Sequence, residues 1–418
     1  MTIAQKFHRL HQPQLAPDYD VVIVGAGVGG TACALALVYG RKLRVLLVER
    51  HCGPGNLNRG ESLLPPITGL LKRWGVLDRC YTAGARPIGN MQFYHYRRGL
   101  MLDVPLKLPG IEDPYLVLPH PKIERAFVEG AVATGQVEIC YGMRVVSLVV
   151  EEGRVRGVAV EDRDGTKQQI RCRVVIGADG MKSTVGAELG IVMQREQYNH
   201  SLFIVAVDSP PDMQDVLRTE MHPDGGVLAV PAVNRLGLAA LIRREHEYQF
   251  RSGSIEQKYA HIEHRSPLLA GRCPSAEGAH LYKLWRAHAP RYSARGAVLL
   301  GDAIHLINPV MAQGMTMAIE DAAALANRLG PALEIGASVT GIDDCFAAYE
   351  RERRPYNAAV IRSSHWISRL FALGGPCGDI FHRSAFELAA SPAGSFIQER
   401  IWSFFAKSPE REPGKGKS

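Results

Sequence analysis

Three short glycine-bearing segments, far apart in the chain, carry the residue types that could do chemistry: Gly25-Ala26-Gly27-Val28-Gly29-Gly30, Gly177-Ala178-Asp179-Gly180, and Gly301-Asp302 followed by Gln313-Gly314. The first follows an apolar run at 21–24 and opens a small-residue stretch, 31–38, that predicts a helix. Strand, tight turn and helix in that order make an anion site. Glycines let the backbone approach a pyrophosphate, and the unpaired N–H groups at the helix start face its charge. A second predicted strand, 44–48, leads into Glu49. It stands about twenty residues past the glycines, where a carboxylate takes the ribose hydroxyls of a dinucleotide. The amino-terminal segment is therefore expected to hold an adenine dinucleotide.

Residues 174–180 repeat the strand-into-glycine pattern, and residues 297–305 repeat it again, each placing an aspartate at the carboxyl end of a predicted strand. In open parallel sheets that edge is where ligands bind, so Asp179 and Asp302 are expected beside the nucleotide. This order of motifs resembles the group A flavoprotein hydroxylases of the p-hydroxybenzoate hydroxylase type, from residue 18 to about 355. The resemblance implies an α/β fold in which a Rossmann-like FAD domain of the glutathione-reductase type is interleaved with an antiparallel-sheet substrate domain and followed by C-terminal helices. It also implies FAD as cofactor and NAD(P)H as co-substrate. The activity implied is hydroxylation or epoxidation of an aromatic or polycyclic small molecule with O2, through a flavin hydroperoxide.

Carried over position by position, the resemblance places Gly25, Gly27 and Gly30 against the pyrophosphate, Glu49 on the adenosine ribose and Arg59 near the pyrophosphate. Asp302 would contact the ribityl or pyrophosphate part of FAD, Pro309 would lie beside the isoalloxazine, and Gly314 with Met315 would face its pyrimidine edge. A helix start there suits reduced flavin, which is anionic around N1 and O2. Asp179 and Gly180 would serve FAD and the reduced nicotinamide, and Arg50 and Val145 complete the expected cofactor contacts. Residues 349–355, YERERRP, match the tail of the family's flavin domain and read equally well as a charged helix end. His305 is either a flavin-region group or a structural histidine, and Glu320-Asp321 reads as structural.

Departures from the family pattern are also visible. Ala312 replaces the glycine that usually opens the late loop, Gly186 stands where an arginine is usual, and His120 replaces an arginine at a helix start. The stretch Arg59-Gly60-Glu61-Ser62-Leu63-Leu64-Pro65 is similar to one in flavin-dependent halogenases. The Trp-x-Trp-x-Ile-Pro segment of that group is missing, and 85–87 lacks its lysine, so halogenase, like flavin-dependent reductase, is an alternative.

Composition fits a globular enzyme: 418 residues, 46% hydrophobic and 22% charged. A net charge of +7 suits anionic cofactors, but no basic run with interleaved aromatics points to nucleic acid. The eight cysteines show no C-x-x-C pair, which predicts reduced thiols, no metal and a cytoplasmic protein. No stretch reaches the roughly 18 apolar residues of a membrane span. Trp366, Phe371, Trp402 and Phe405 could serve helix packing, a homodimer contact or a weak peripheral membrane contact, and a monomer is equally compatible.

Residues 18–85, 115–188 and 286–345 are expected to build the FAD domain, and 86–114 with 189–285 the substrate-binding sheet. Residues 346–406 read as a helical region, with 1–17 and 407–418 as flexible tails. Alternation across 145–160, broken by Glu151-Glu152-Gly153, predicts a hairpin; the 91–104 segment predicts another, and 202–207, 227–230 and 236–242 predict strands of the same antiparallel sheet. Alternation puts Tyr94 or Tyr96, His95, His222 and Arg243 towards the substrate, yet each serves as well on the surface or in packing, so no catalytic base is assigned. Trp285 is expected in the core.

Overall fold

The computed structural model describes residues 19–55, 62–107, 112–209, 213, 215–232, 235–272, 274–392 and 394. The chain opens with β1 (Tyr19–Val24), α1 (Val28–Val38) and β2 (Val45–Glu49). Both strands are near-continuous apolar runs, as strands covered on both faces must be. Short pieces follow: β3 (Ser62–Leu63), α2 (Pro65–Arg73), α3 (Leu77–Thr82) and β4 (Arg86–Pro87). A first hairpin, β5 (Asn90–His95) and β6 (Gly99–Pro105), leads through β7 (Leu116–Val117) to α4 (His120–Ala133) and β8 (Val137–Tyr141).

A meander of β9 (Arg144–Glu151), β10 (Arg154–Glu161) and β11 (Lys167–Gly177) turns at Glu152 and Gly153, both at positive φ. The long β11 pairs antiparallel with β10 and then, further along, parallel with β1. After α5 (Thr184–Glu188) come β12 (Glu196–Asp208), β13 (Val216–Met221), β14 (Val227–Ala232), β15 (Arg235–Arg243), α6 (Glu247–Ser252), α7 (Ile255–Glu263) and β16 (Ser275–His288). The chain then returns through β17 (Ser293–Ala294), β18 (Ala297–Leu299) and β19 (His305–Leu306) to α8 (Gln313–Glu334), α9 (Val339–Phe371) and α10 (Gly375–Ala389).

Two large sheets result. The first has the order β17-β18-β11-β1-β2-β8, with β18, β11, β1, β2 and β8 parallel and the β9-β10 ribbon attached to β11. Helix α1 buries ten of its eleven residues, because its glycine and alanine side chains admit the equally small-faced α8 at close range. The second sheet has the order β19-β16-β12-β15-β14-β13-β5-β6. Both expected insertions enter it, but the join between them, β13 with β5, is parallel, where an antiparallel pair was expected. No tight turn connects these two strands, so nothing local forces their directions to oppose.

Strand alternation is regular along β12, β14 and β15 of the second sheet. Phe203, Val205, Val207, Leu236, Leu238, Ala240 and Ile242 are buried against α6 and α7 through Phe250, Tyr259 and Ile262. The opposite face presents Leu202, Ile204, Leu228, Val230, Ala239 and Leu241, apolar but only half-buried. Trp285 is also half-buried rather than in the core: it pairs with Gln197 on the sheet, and its neighbours Leu284 and Ala287 are the buried ones. The YERERRP segment is not a helix end; it lies within the 33-residue α9. Trp402, Phe405, Arg59 and both tails lie outside the described residues.

Candidate functional site

The three glycine segments meet at the carboxyl edge of the first sheet. Gly25 has φ +103°, and a Cβ on it would stand 2.4 Å from Ala178 O; one on Gly30 would meet Gly25 O at 2.0 Å. These two glycines are demanded by the chain itself. Gly27 is different: a Cβ there would find only Glu124 Oε1, 3.9 Å away. Gly27 caps α1 without a side-chain hydrogen bond and no acidic residue occupies the first turn, so the helix-start N–H groups face outward for an anion.

Glu49 ends β2 beside this turn. Its Oε2 accepts from Ala26 N at 2.9 Å and its Oε1 from His51 N at 2.9 Å, which fixes the carboxylate at the rim of the glycine loop. Arg50 is exposed, its Nε donating to His51 Nε2 at 3.2 Å. Val145 pairs with Val160 and has its side chain in the core. Asp179 has both oxygens engaged by the next element: Oδ1 accepts from Ser183 Oγ (2.6 Å), and Oδ2 from Thr184 N (2.6 Å) and Val185 N (3.1 Å). Burial raises its pKa above the usual carboxylate value against the pull of these bonds. Asp179 thus shapes the loop, whereas Gly180, at φ +79° with no atom within 4 Å of a built Cβ, borders open space.

Asp302 is exposed and accepts no hydrogen bond from the described residues. Directly behind it lies a buried polar network. Asp321 Oδ2 bonds His305 Nε2 (2.7 Å) and accepts from Gly301 N (3.4 Å), while its Oδ1 accepts from Arg353 Nε (2.8 Å) and Asn357 Nδ2 (3.0 Å). Arg353 also reaches Glu320 Oε2 at 2.9 Å. Burial by itself would raise the Asp321 pKa, but Arg353 and His305 outweigh it and hold the carboxyl well below its usual range. Asp321 of α8, held by Arg353 and Asn357 of α9, therefore braces the Gly301-Asp302 loop and His305 after it.

The late loop follows. Asn308 Oδ1 accepts from Val310 N (3.1 Å), and Pro309 opens a short turn that ends at Ala312, in the left-handed region at φ +52°. Helix α8 starts immediately after, with no side-chain cap and with Gln313 Oε1 and Thr316 Oγ1 buried without a partner among the described residues. Gly314 and Met315 lie in that uncapped first turn. The residues present fit FAD: two uncapped helix starts, a carboxylate at the rim of the first glycine loop and an Asp302 that engages none of the described residues.

The expected base candidates are each occupied. Register places Tyr94 on the face of Glu220, away from the half-buried apolar face, with Arg218 3.5 Å above its ring. His95 Nε2 pairs with Asp379 Oδ1 (2.8 Å), Tyr96 meets His222 edge to face with ring centres 4.6 Å apart, and Arg243 Nη2 donates to Pro223 O (2.8 Å). His222 Nδ1 accepts from Asp224 N at 3.1 Å.

Glycine-lined helix starts meeting at the carboxyl edge of a parallel sheet, beside a second sheet with an open apolar face, define a nucleotide-binding flavoprotein architecture. Residues 18–364 match the FAD binding domain family, and the chain belongs to it. Its enzymatic class is that of the FAD-dependent monooxygenases, with NAD(P)H as reductant. It is 27% identical to the 6-methylpretetramide 4-monooxygenase of Streptomyces rimosus, over 91% of each chain. The p-nitrophenol 4-monooxygenase PnpA of Pseudomonas putida DLL-E4 shares the fold at a TM-score of 0.77 and 18% identity, covering 93% of this chain and 97% of that one. The myxobacterial chondrochloren halogenase CndH shares it at 0.73 and 20% identity, covering 94% and 91%. No helix among the described residues is long and apolar enough to cross a membrane.

Proposed function

We propose that this chain oxygenates an aromatic or polycyclic small molecule held between the apolar inner face of the second sheet and FAD. The observation that carries it is the alternation itself: Leu202, Ile204, Leu228, Val230, Ala239 and Leu241 are apolar yet half-buried, on a face that α9 and α10 meet at His200 and Phe93 but do not bury as α6 and α7 bury the other. Such a face matches a flat, weakly polar ligand. Bound FAD supplies the activation of O2 at the expense of NAD(P)H.

The chain's own part is to bind, orient and exclude water. Gly25 and Gly30 shape the turn, Gly27 and the α1 start receive the pyrophosphate, and Glu49 takes the adenosine ribose. Asp302 meets the ribityl end, and Pro309, Gly314 and Met315 border the ring, with the α8 start favouring negative charge there. Arg50, Arg59, Val145, Asp179 and Gly180 complete the proposed cofactor shell, Asp179 through the loop that it shapes. The apolar face excludes water from the reacting atoms, which suppresses wasteful breakdown of activated oxygen.

The test is a purified protein with a stoichiometric FAD spectrum, assayed for NAD(P)H oxidation with phenolic polycyclic probes that include 6-methylpretetramide. Faster oxidation with a probe and one atom of 18O from O2 in the product are expected. Chloride- or bromide-dependent mass gain without 18O would instead establish halogenation, and a colourless protein that takes up no FAD would end the proposal.

A further inference from the structure

The second sheet and the late loop are tied together by one buried side chain. His200, near the start of β12 and buried, places Nε2 at 3.3 Å from Asn308 Nδ2 and 3.1 Å from Ser368 Oγ of α9. Asn308 Oδ1 is committed to Val310 N, so the amide nitrogen is the group that faces the histidine. An amide nitrogen only donates; His200 Nε2 must therefore accept, which requires a neutral ring with its proton on Nδ1. Ser364 Oγ of α9 donates to Asn308 O at 2.8 Å and closes the knot. Four residues on, the loop passes through left-handed Ala312 into the uncapped start of α8.

We propose that His200 is a positioning residue whose neutral imidazole fixes the 308–314 loop against the substrate sheet and so sets how the α8 start is aimed at the flavin ring, an assignment that rests on the reading of that loop as the ring-edge loop. Neither an apolar side chain nor a second donor could replace it. Because the α8 amides favour the extra negative charge of reduced FAD, a loosened loop should weaken binding of the reduced form more than that of the oxidised form.

The two-electron potential of bound FAD, measured by dye equilibration, and the FAD dissociation constant, measured by fluorescence titration, test this. In His200→Leu the ratio of reduced to oxidised affinity is expected to fall about tenfold, which is about 30 mV for a two-electron couple. His200→Gln, whose Oε1 can accept in place of Nε2, should restore the wild-type potential, and Asn308→Ala should reproduce the Leu shift from the other end, which serves if His200→Leu does not fold. Equal potentials in wild type, His200→Leu and Asn308→Ala would overturn the assignment, as would failure of the Gln variant to restore a shifted value. A wild-type protein that binds no FAD would fell the ring-edge reading itself, a result distinct from any of these.

Discussion

Gly25 and Gly27 belong to one turn and do different work. Gly25 must be glycine for the fold, since its φ of +103° and the Ala178 carbonyl at 2.4 Å leave no room for a methyl group. Gly27 is free of both constraints. Gly25→Ala is expected to lower stability by about 3 kcal/mol or more in urea unfolding of the protein without cofactor. Gly27→Ala should leave the urea midpoint where it is while weakening FAD binding about tenfold, or about 1.4 kcal/mol. A parallel loss of stability in both variants would contradict this division of roles. Asp302→Ala is expected to behave like Gly27→Ala, because the carboxylate engages none of the described residues; retention of stoichiometric FAD would refute its placement. The glycines and Asp302 were legible in the sequence because glycines clustered directly after an apolar run, and an aspartate closing a strand, form a pattern of fixed spacing. That Asp179 turns inward onto α5 was not, since Ser183 and the two amides it holds are ordinary residues without a pattern.

At the scale of elements, α8 and α9 are joined by Arg353, Asp321, Glu320 and Asn357, all fully or almost fully buried. Removing the cation alone leaves two carboxylates in the interior, a loss of about 3–5 kcal/mol by comparison with other broken buried pairs. Arg353→Met should therefore lower the melting temperature by several degrees, and adding Asp321→Asn should recover part of it. A melting temperature unchanged within about 2 °C would show that the network contributes little. Composition and charge spacing made 349–355 look equally like a domain tail or a charged helix end, because helical periodicity reports which residues share a face, not which helix they face. The same blindness hid His200 and Asn308, whose partner relation joins β12 to the loop after β19.

Across the whole molecule, buried histidines set a direction for pH. Burial, with Arg243 adding to it, lowers His200 to about 4, and burial likewise lowers His288 to about 4. An unfolded chain keeps histidine near 6.5, so between about 4 and 6.5 it binds more protons than the folded protein and stability rises with pH. Acidification from pH 7 should thus lower the melting temperature through that window, with His200 accounting for about 3 kcal/mol at most. Asp321, held low, adds a further loss only below the ordinary carboxylate range. His200→Gln should flatten part of the slope in scanning calorimetry; an unaltered slope would remove His200 as its source. Most strands of the second sheet could be read from the 91–104 hairpin and from the alternation at 202–207, 227–230 and 236–242. Strand β16 could not, because Ser275–His288 mixes polar and apolar residues without a period of two, and neither could the short helices α6 and α7.

The parallel seam between β5 and β13 also has a consequence for synthesis. The β5–β6 hairpin leaves the ribosome early, but the strand that seals its inner edge, Val216–Met221, arrives only after β8 to β12 have been made. Throughout that interval Met91 and Phe93 stand on an unpaired edge, a site for wrong pairing between nascent chains. Slower elongation between these segments should therefore raise the yield of aggregates, and a charged residue at exposed Leu100 on the neighbouring strand should reduce it.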